Sequence, residues 1–158
     1  AGEVISAIWA LDKPLVVDAD ALNWLSENPL PDRDAPWIGT PHPLEASRLT
    51  GAPIADRFHL LDRLENVYAT TWILKGAGTL VSGKPVWLNP VSDPTLGTAG
   101  SGDVLAGLVA RLWAPGSTSP ASSGVWLHAQ AFLAAKKLRG PDVIASDAVN
   151  QIGSVKTA

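Results

Sequence analysis

The chain has 158 residues, of which 46% are apolar and 17% charged, and carries a net charge of −3. That is the composition of one globular domain with a real core, able to bury roughly 68–70% of its unfolded surface. Slight acidity without any Lys/Arg run excludes nucleic acid and anionic membranes as main partners. There is no Cys, hence no disulfide, thiolate metal site or cysteine nucleophile, and a cytoplasmic setting fits. No apolar run reaches the ~18 residues of a membrane span.

Met is absent, even at position 1, and residues 2–10 read as a helix already under way, apolar at 4, 5, 8 and 9. Upstream sequence is therefore expected. Leu15-Val16-Val17 is a short apolar run ending in Asp18, the pattern of a buried parallel strand. Asp20 to Leu25 reads as a short helix or turn. Pro29 to Pro36, with its prolines and charges, is a surface loop. Trp37 to Thr40 is a second strand. Glu45 to Leu49 forms a brief helix ended by Gly51. Pro53 should open a helix running to about Tyr68, with Phe58, Leu61, Leu64 and Tyr68 on its apolar face. Thr71 to Leu74 is a third strand, and Thr79–Val81 with Val86–Leu88 flank Gly83-Lys84-Pro85 as a hairpin. Val104 to Trp113 is a helix, apolar at 104, 105, 108, 109 and 112. Pro115 to Ser123 is a loop of small residues. Gly124 to Leu138 is a buried helix with Lys136, Lys137 and Arg139 at its end and Gly140 beyond. Ser146-Asp147 caps a final turn.

Apolar strands alternating with helices predict an α/β layered fold with a largely parallel sheet flanked by helices. Ligands in such sheets bind beyond the C-terminal strand ends. Asp18, His42 and Lys75 all fall there.

Gly97-Thr98-Ala99-Gly100-Ser101-Gly102-Asp103 carries the most chemistry. A glycine-rich turn lets backbone N–H groups converge, and at a helix N-terminus they attract phosphate. The amides of Gly100, Ser101 and Gly102 form an anion hole in this reading. Asp103 could take the proton of a hydroxyl attacking that phosphate; alternatively it only caps the helix. Neither standard nucleotide motif applies. In Lys75-Gly76-Ala77-Gly78-Thr79 two glycines let the backbone approach a ligand, and the lysine is a point charge suited to phosphate, or the segment is a plain turn. Prolines on both sides of His42 fix the backbone and aim its ring. His59 and His128 sit inside helix patterns and read as structural. Asp18 and Asp20 could hold Mg²⁺ through water or simply end a strand. With few His and no Cys, no metal site is assigned. The seven Trp are read as core or interface residues.

Together, Asp18-Ala19-Asp20-Ala21-Leu22-Asn23, Thr40-Pro41-His42-Pro43-Leu44-Glu45, Lys75 to Thr79, Asn89-Pro90 and Gly97 to Gly107 resemble the ATP/ADP-dependent NAD(P)H-hydrate dehydratases. These are carbohydrate-kinase-like repair enzymes with a ribokinase-type fold. The resemblance implies that ADP or ATP, with Mg²⁺, drives removal of water from hydrated NADH or NADPH. It further implies that Lys75, Gly76, Ala77, Gly78, Thr79 and Gly102 bind the adenine nucleotide. His42 and Asp103 would contact the hydrated coenzyme, with Asp103 as catalytic base.

Two departures stand out. Leu44 replaces the family's usual Gly, and the chain matches only the C-terminal half to two-thirds of the domain. Residues 1–158 are thus read as the C-terminal portion of a single dehydratase domain, with a homo-oligomer or partner chain covering a cut sheet edge. Two further readings remain open: a thiazole- or hydroxymethylpyrimidine-type kinase of the same fold, and a truncated, non-catalytic nucleotide-binding module.

Overall fold

The computed structural model describes residues 2–113 and 117–155. Seven helices run α1 (Gly2–Trp9), α2 (Ala19–Glu27), α3 (Pro43–Thr50), α4 (Arg57–Val67), α5 (Ser101–Trp113), α6 (Pro120–Arg139) and α7 (Ala145–Gln151). Five strands run β1 (Leu15–Val17), β2 (Trp37–Gly39), β3 (Thr71–Leu74), β4 (Leu80–Val81) and β5 (Trp87–Leu88), in the spatial order β1-β2-β3-β4-β5. β1, β2 and β3 pair in parallel and β4 pairs with β3 antiparallel, so the sheet is mixed. The α/β expectation therefore holds, and β4 and β5 are neighbours as the hairpin reading requires.

The chain divides into two compact units. One comprises Ala1–Lys75 and Leu80–Trp87, the other Gly76–Thr79 and Leu88–Ala158.

In the first unit β2 and most of β3 are buried apolar runs, while β1 buries only Val17. Indoles dominate the core. Trp37 meets Trp9, Tyr68 and Trp72 edge to face, with centroids 4.9, 5.5 and 5.1 Å apart. Their polar ends are satisfied by backbone: Trp9 Nε1 donates to Pro31 O and Trp72 Nε1 to Tyr68 O. Gly39 lies against the Trp72 ring; a Cβ there would sit 2.3 Å from it. The aromatic count therefore reads out as core for Trp9, Trp37 and Trp72, while Trp24, Trp87, Trp113 and Trp126 are half-buried.

In the second unit α5 and α6 pack closely, which Gly124 allows, since a Cβ there would come 2.7 Å from Val109 Cγ2. Phe132, Ala131, Ala135, Val143 and Ala148 form a core where α6 meets α7.

Several boundaries differ from the sequence expectation. α4 begins at Arg57 rather than Pro53, because the Asp56 carboxylate accepts from Phe58 N and His59 N and sets the start. Phe58 is exposed; Leu60, Leu61 and Leu64 form the buried stripe. α6 begins at Pro120, four residues before Gly124, with proline in the first turn. The segment read as a loop from Pro115 to Ser123 thus ends inside a helix, and its residues 115 and 116 lie outside the described residues. Ser146 and Asp147 lie inside α7, where Asp147 Oδ2 accepts from Ile144 N at 3.2 Å. On α1, Val4 and Ile8 are exposed while Trp9 is buried.

Candidate functional site

Candidate residues fall into two groups, one within each unit.

In the first unit, three parallel strands end side by side. The ladder runs one residue past each strand: Thr40 N donates to Val17 O and Lys75 N to Pro41 O. That register brings Asp18, His42 and Lys75 to one sheet edge, as the strand-end argument expects. Lys75 Nζ is 2.6 Å from Asp18 Oδ1 and 3.9 Å from Glu45 Oε2. Its side chain is only one-fifth exposed. The ammonium, read from sequence as a point charge suited to phosphate or as part of a plain turn, is paired with Asp18 and lies near Glu45. Asp18 leads into Ala19, whose φ of +49° is a left-handed conformation that non-glycine residues seldom adopt.

His42 is the N-cap of α3, with Pro43 in the first turn. Its Nδ1 accepts from Leu44 N at 3.1 Å and Glu45 N at 3.3 Å. Glu45 answers: Oε2 accepts from His42 N at 2.7 Å, and Oε1 lies 3.3 Å from His42 Nε2. This reciprocal bonding is a capping box with imidazole in the usual serine position. The flanking prolines do fix the backbone, but the helix cap orients the ring. Leu44 sits in the first helical turn with its side chain exposed, a conformation that does not need the family's glycine.

Glu45, buried at 4% exposure, contacts both His42 and Lys75, and sequence reasoning passed it over as the first residue of a short helix. The available signal was a glutamate three residues after a residue followed by proline, the spacing of a capping box.

In the second unit, the glycine-rich loop is pinned from several sides. Thr98 Oγ1 donates to Val143 O at 3.0 Å. Gly100 has φ of +80° and faces Ala145, whose Cβ would be 3.2 Å from an added Cβ. Ser101 Oγ donates to Leu96 O at 2.7 Å, and His128 Nε2 lies 3.0 Å from both Ser101 Oγ and Ser101 O. With the hydroxyl proton on Leu96 O, the network assigns the His128 proton to Nε2, donating to Ser101. Burial pushes the His128 imidazole down to about 4, partly offset by the bond to Ser101 O, so the ring is neutral near pH 7. The structural reading of His128 fits this placement; His59 lies exposed on α4.

α5 starts at Ser101, not at Val104. Asp103 is therefore in the first helical turn and accepts no capping bond, which removes the capping alternative. Among the described residues its exposed carboxylate has no hydrogen-bond or ion-pair partner. Ser101 N donates to Thr98 O at 3.0 Å, so its amide does not belong in the anion hole. The amides of Gly100, Gly102 and Asp103 have no acceptor among the described residues. Negative charge is favoured at such a terminus by about 0.3–1 kcal/mol in exposed settings.

Gly76 to Thr79 forms a tight turn ahead of β4. Gly76 and Gly78 take φ of +139° and +68°, Thr79 Oγ1 donates to Gly76 O, and Asn89 N donates to Thr79 O. The motif needs both glycines for this backbone. No group of three or more His, Asp or Glu able to hold a metal occurs among the described residues.

A family model described as NAD(P)H-hydrate dehydratase matches residues 1–153. The chain belongs to the NAD(P)H-hydrate dehydratase family. The bifunctional NAD(P)H-hydrate repair enzyme Nnr of Mycobacterium leprae is 35% identical over 163 residues, covering 97% of this chain and 34% of that protein. The ADP-dependent (S)-NAD(P)H-hydrate dehydratase of Neisseria meningitidis is 40% identical over 132 residues, covering 76% of this chain and 45% of that one. The ADP/ATP-dependent NAD(P)H-hydrate dehydratase of Bacillus subtilis, co-crystallised with ATP/Mg²⁺, superposes with a TM-score of 0.80 at 25% identity, over 96% of this chain and 56% of that one. Arabidopsis thaliana ribokinase, at 18% identity and a TM-score of 0.59, shares the fold alone. The chain thus has a ribokinase-like fold. It spans 20% to 34% of the length of the bifunctional relatives and a little over half of the Bacillus enzyme.

Proposed function

We propose that this chain carries out ADP- or ATP-dependent dehydration of hydrated NADH or NADPH, restoring the reduced coenzyme. One observation carries the reading beyond family membership. The unpaired amides of Gly100, Gly102 and Asp103 and the unengaged Asp103 carboxylate share one helix N-terminus. A capping aspartate would be consumed by its own helix; this one is available for a proton.

In the proposed reaction Asp103 takes the proton of the ring hydroxyl as its oxygen attacks the terminal phosphoryl group. The three amides stabilise the charge that builds on the transferring oxygens. The phosphorylated oxygen then leaves as inorganic phosphate, expelled by the ring-nitrogen lone pair. Loss of a proton from the adjacent carbon restores the ring double bond. ADP becomes AMP, or ATP becomes ADP.

His42 and Asp103 are assigned to the hydrated coenzyme, and Gly76, Ala77, Gly78, Thr79 and Gly102 to the adenine nucleotide. Lys75 is kept in the nucleotide assignment through its place in the glycine turn; its ammonium reaches phosphate only by leaving Asp18. Mg²⁺ would neutralise nucleotide phosphates, but the residues present do not form a site of their own for it. Asp18 is paired with Lys75, Asp20 is exposed, and among the described residues no group of three or more His, Asp or Glu forms a metal site. No step is assigned to the ion.

Both units are read as the C-terminal portion of one dehydratase domain, and the cysteine-free composition fits a cytoplasmic setting. The test is an absorbance assay. Hydrated NADH plus ADP or ATP should regain the absorbance of the reduced nicotinamide, with one nucleotide consumed per coenzyme. A phosphate ester without that recovery would instead identify a kinase of the same fold.

A further inference from the structure

Asn89 directly follows β5, and the reaction proposed above leaves it and Pro90 without a role. Its backbone docks it on the glycine turn of the same unit: Asn89 N donates to Thr79 O at 2.9 Å. Gly78 closes against the same strip of chain. A Cβ on it would lie 3.2 Å from Leu88 Cδ1 and 3.6 Å from Asn89 O.

The side chain of Asn89 is anomalous. The residue is 2% exposed, so its carboxamide has left bulk water. Oδ1 accepts from Val91 N at 3.3 Å, reaching past Pro90, which has no N–H to offer. That bond identifies the oxygen end of the carboxamide and leaves two N–H donors on Nδ2. Neither has an acceptor among the described residues. The hydroxyls of Thr40, Thr95 and Ser101, also buried, all donate. An amide donor removed from water without a partner destabilises the fold. The turn bond to Val91 does not require it, because an aspartate oxygen would accept that N–H equally well. The nitrogen is what asparagine adds. Nδ2 does not belong to the partnerless side-chain atoms sealed from solvent, so a ligand atom can reach it.

We propose that Asn89 is a further nucleotide-binding residue, whose Nδ2 donates to an acceptor atom of the adenine nucleotide taken by the Gly76–Thr79 turn. The nucleotide's place at that turn rests on the proposed function. The carboxamide supplies a neutral, directional donor beside a turn whose own contacts are backbone, and the Thr79 bond keeps the two in register.

The experiment uses the whole 158-residue chain as wild type, Asn89→Asp and Asn89→Ala, with urea unfolding to confirm which variants fold. Asn89→Asp keeps an acceptor for Val91 N and replaces the donor by a carboxylate oxygen. Calorimetry should show the Kd for ADP raised at least about tenfold in Asn89→Asp and about fivefold in Asn89→Ala. Adenosine, titrated in parallel, locates the acceptor. Equal losses for adenosine and ADP place it on the nucleoside, and a loss confined to ADP places it on the phosphates. In wild type, the Asn89 side-chain amide signals in nitrogen-15 correlation spectra should move on saturation with ADP.

An amide signal that stays in place at saturating ADP would overturn the proposal, even if neither variant folds. So would an Asn89→Ala protein that is less stable but binds ADP within twofold of wild type, since the side chain would then serve only the turn. Wild-type protein that binds neither ADP nor ATP would defeat the functional reading and this proposal together, whereas nucleotide binding with an unmoved amide defeats this proposal alone.

Discussion

The His128 imidazole illustrates how a single buried group couples stability to the proposed phosphate site. Burial holds it at about 4 against about 6.5 when unfolded. The native state therefore binds fewer protons than the unfolded state between those values. The stability it contributes is fully present above pH 6.5 and is lost as pH falls toward 4, by about 3 kcal/mol in all. Asp93, whose bonds from Lys136 and Thr95 lower it to about 2, acts in a separate window, with stability lost only below about 3.8. Urea unfolding at pH 7 and pH 4.5 should show a marked loss for wild type and a smaller one for His128→Gln. Equal losses would mean that His128 does not titrate with folding. Because His128 bonds Ser101 at the start of α5, the same acid range should weaken nucleotide binding. Gly100→Ala tests the loop itself. The φ of +80° and the 3.2 Å approach to Ala145 should lower stability by about 1–3 kcal/mol in urea titrations. Wild-type stability in that variant would show that the loop relaxes freely. The place of Asp103 beside a glycine-rich turn at a helix start was legible from sequence, because glycine and acid cluster in one short segment, whereas the contacts of Glu45 were not. Its importance comes from strands that align Lys75 and His42 around it, and no local pattern reports that alignment.

Helix starts and glycine packing decide how the elements meet. Asp56→Ala should cost about 1 kcal/mol, since Phe58 N and His59 N lose their acceptor. Proline at position 53 would take over the start if the cap were unimportant, and the variant would then unfold like wild type. Gly39→Ala is expected to be more severe, by about 1–3 kcal/mol, because the new methyl would lie 2.3 Å from the buried Trp72 ring. Thermal unfolding of Gly39→Ala alongside Gly97→Ala, which meets nothing within 4 Å, separates packing from a general effect of removing glycine. The strands were readable from sequence: β1, β2 and β3 are apolar runs bounded by polar residues, and each was placed within a residue or so. Helix starts were less so. A proline marks where a helix can begin, but Asp56 and His42 mark where one does, through side-chain bonds to amides two and three residues on. At α5 the sequence suggested a glycine-rich turn through Asp103 and a helix from Val104. Glycine in a first turn forfeits little backbone bonding, and the bonds of Ser101 to Leu96 and His128 let the helix begin earlier.

For the molecule as a whole, β1 is the end strand of the sheet and pairs only with β2 among the described residues. Val4, Ile8 and Leu11 are exposed in the same unit. An end strand in a unit that also exposes apolar side chains favours self-association or capture by a partner chain. Sedimentation of the purified chain should give a species larger than a monomer, and Val4→Glu with Ile8→Lys should reduce it. A stable monomer at all concentrations would contradict that expectation. The functional account meets its most direct test in Asp103→Asn. Hydrated NADH and ADP or ATP would be supplied to wild type and variant, with nucleotide affinity measured in parallel by calorimetry. The expected result is coenzyme recovery by wild type, a loss of at least about 100-fold in the variant, and nucleotide binding within about threefold of wild type. Recovery at the wild-type rate by Asp103→Asn would contradict the account.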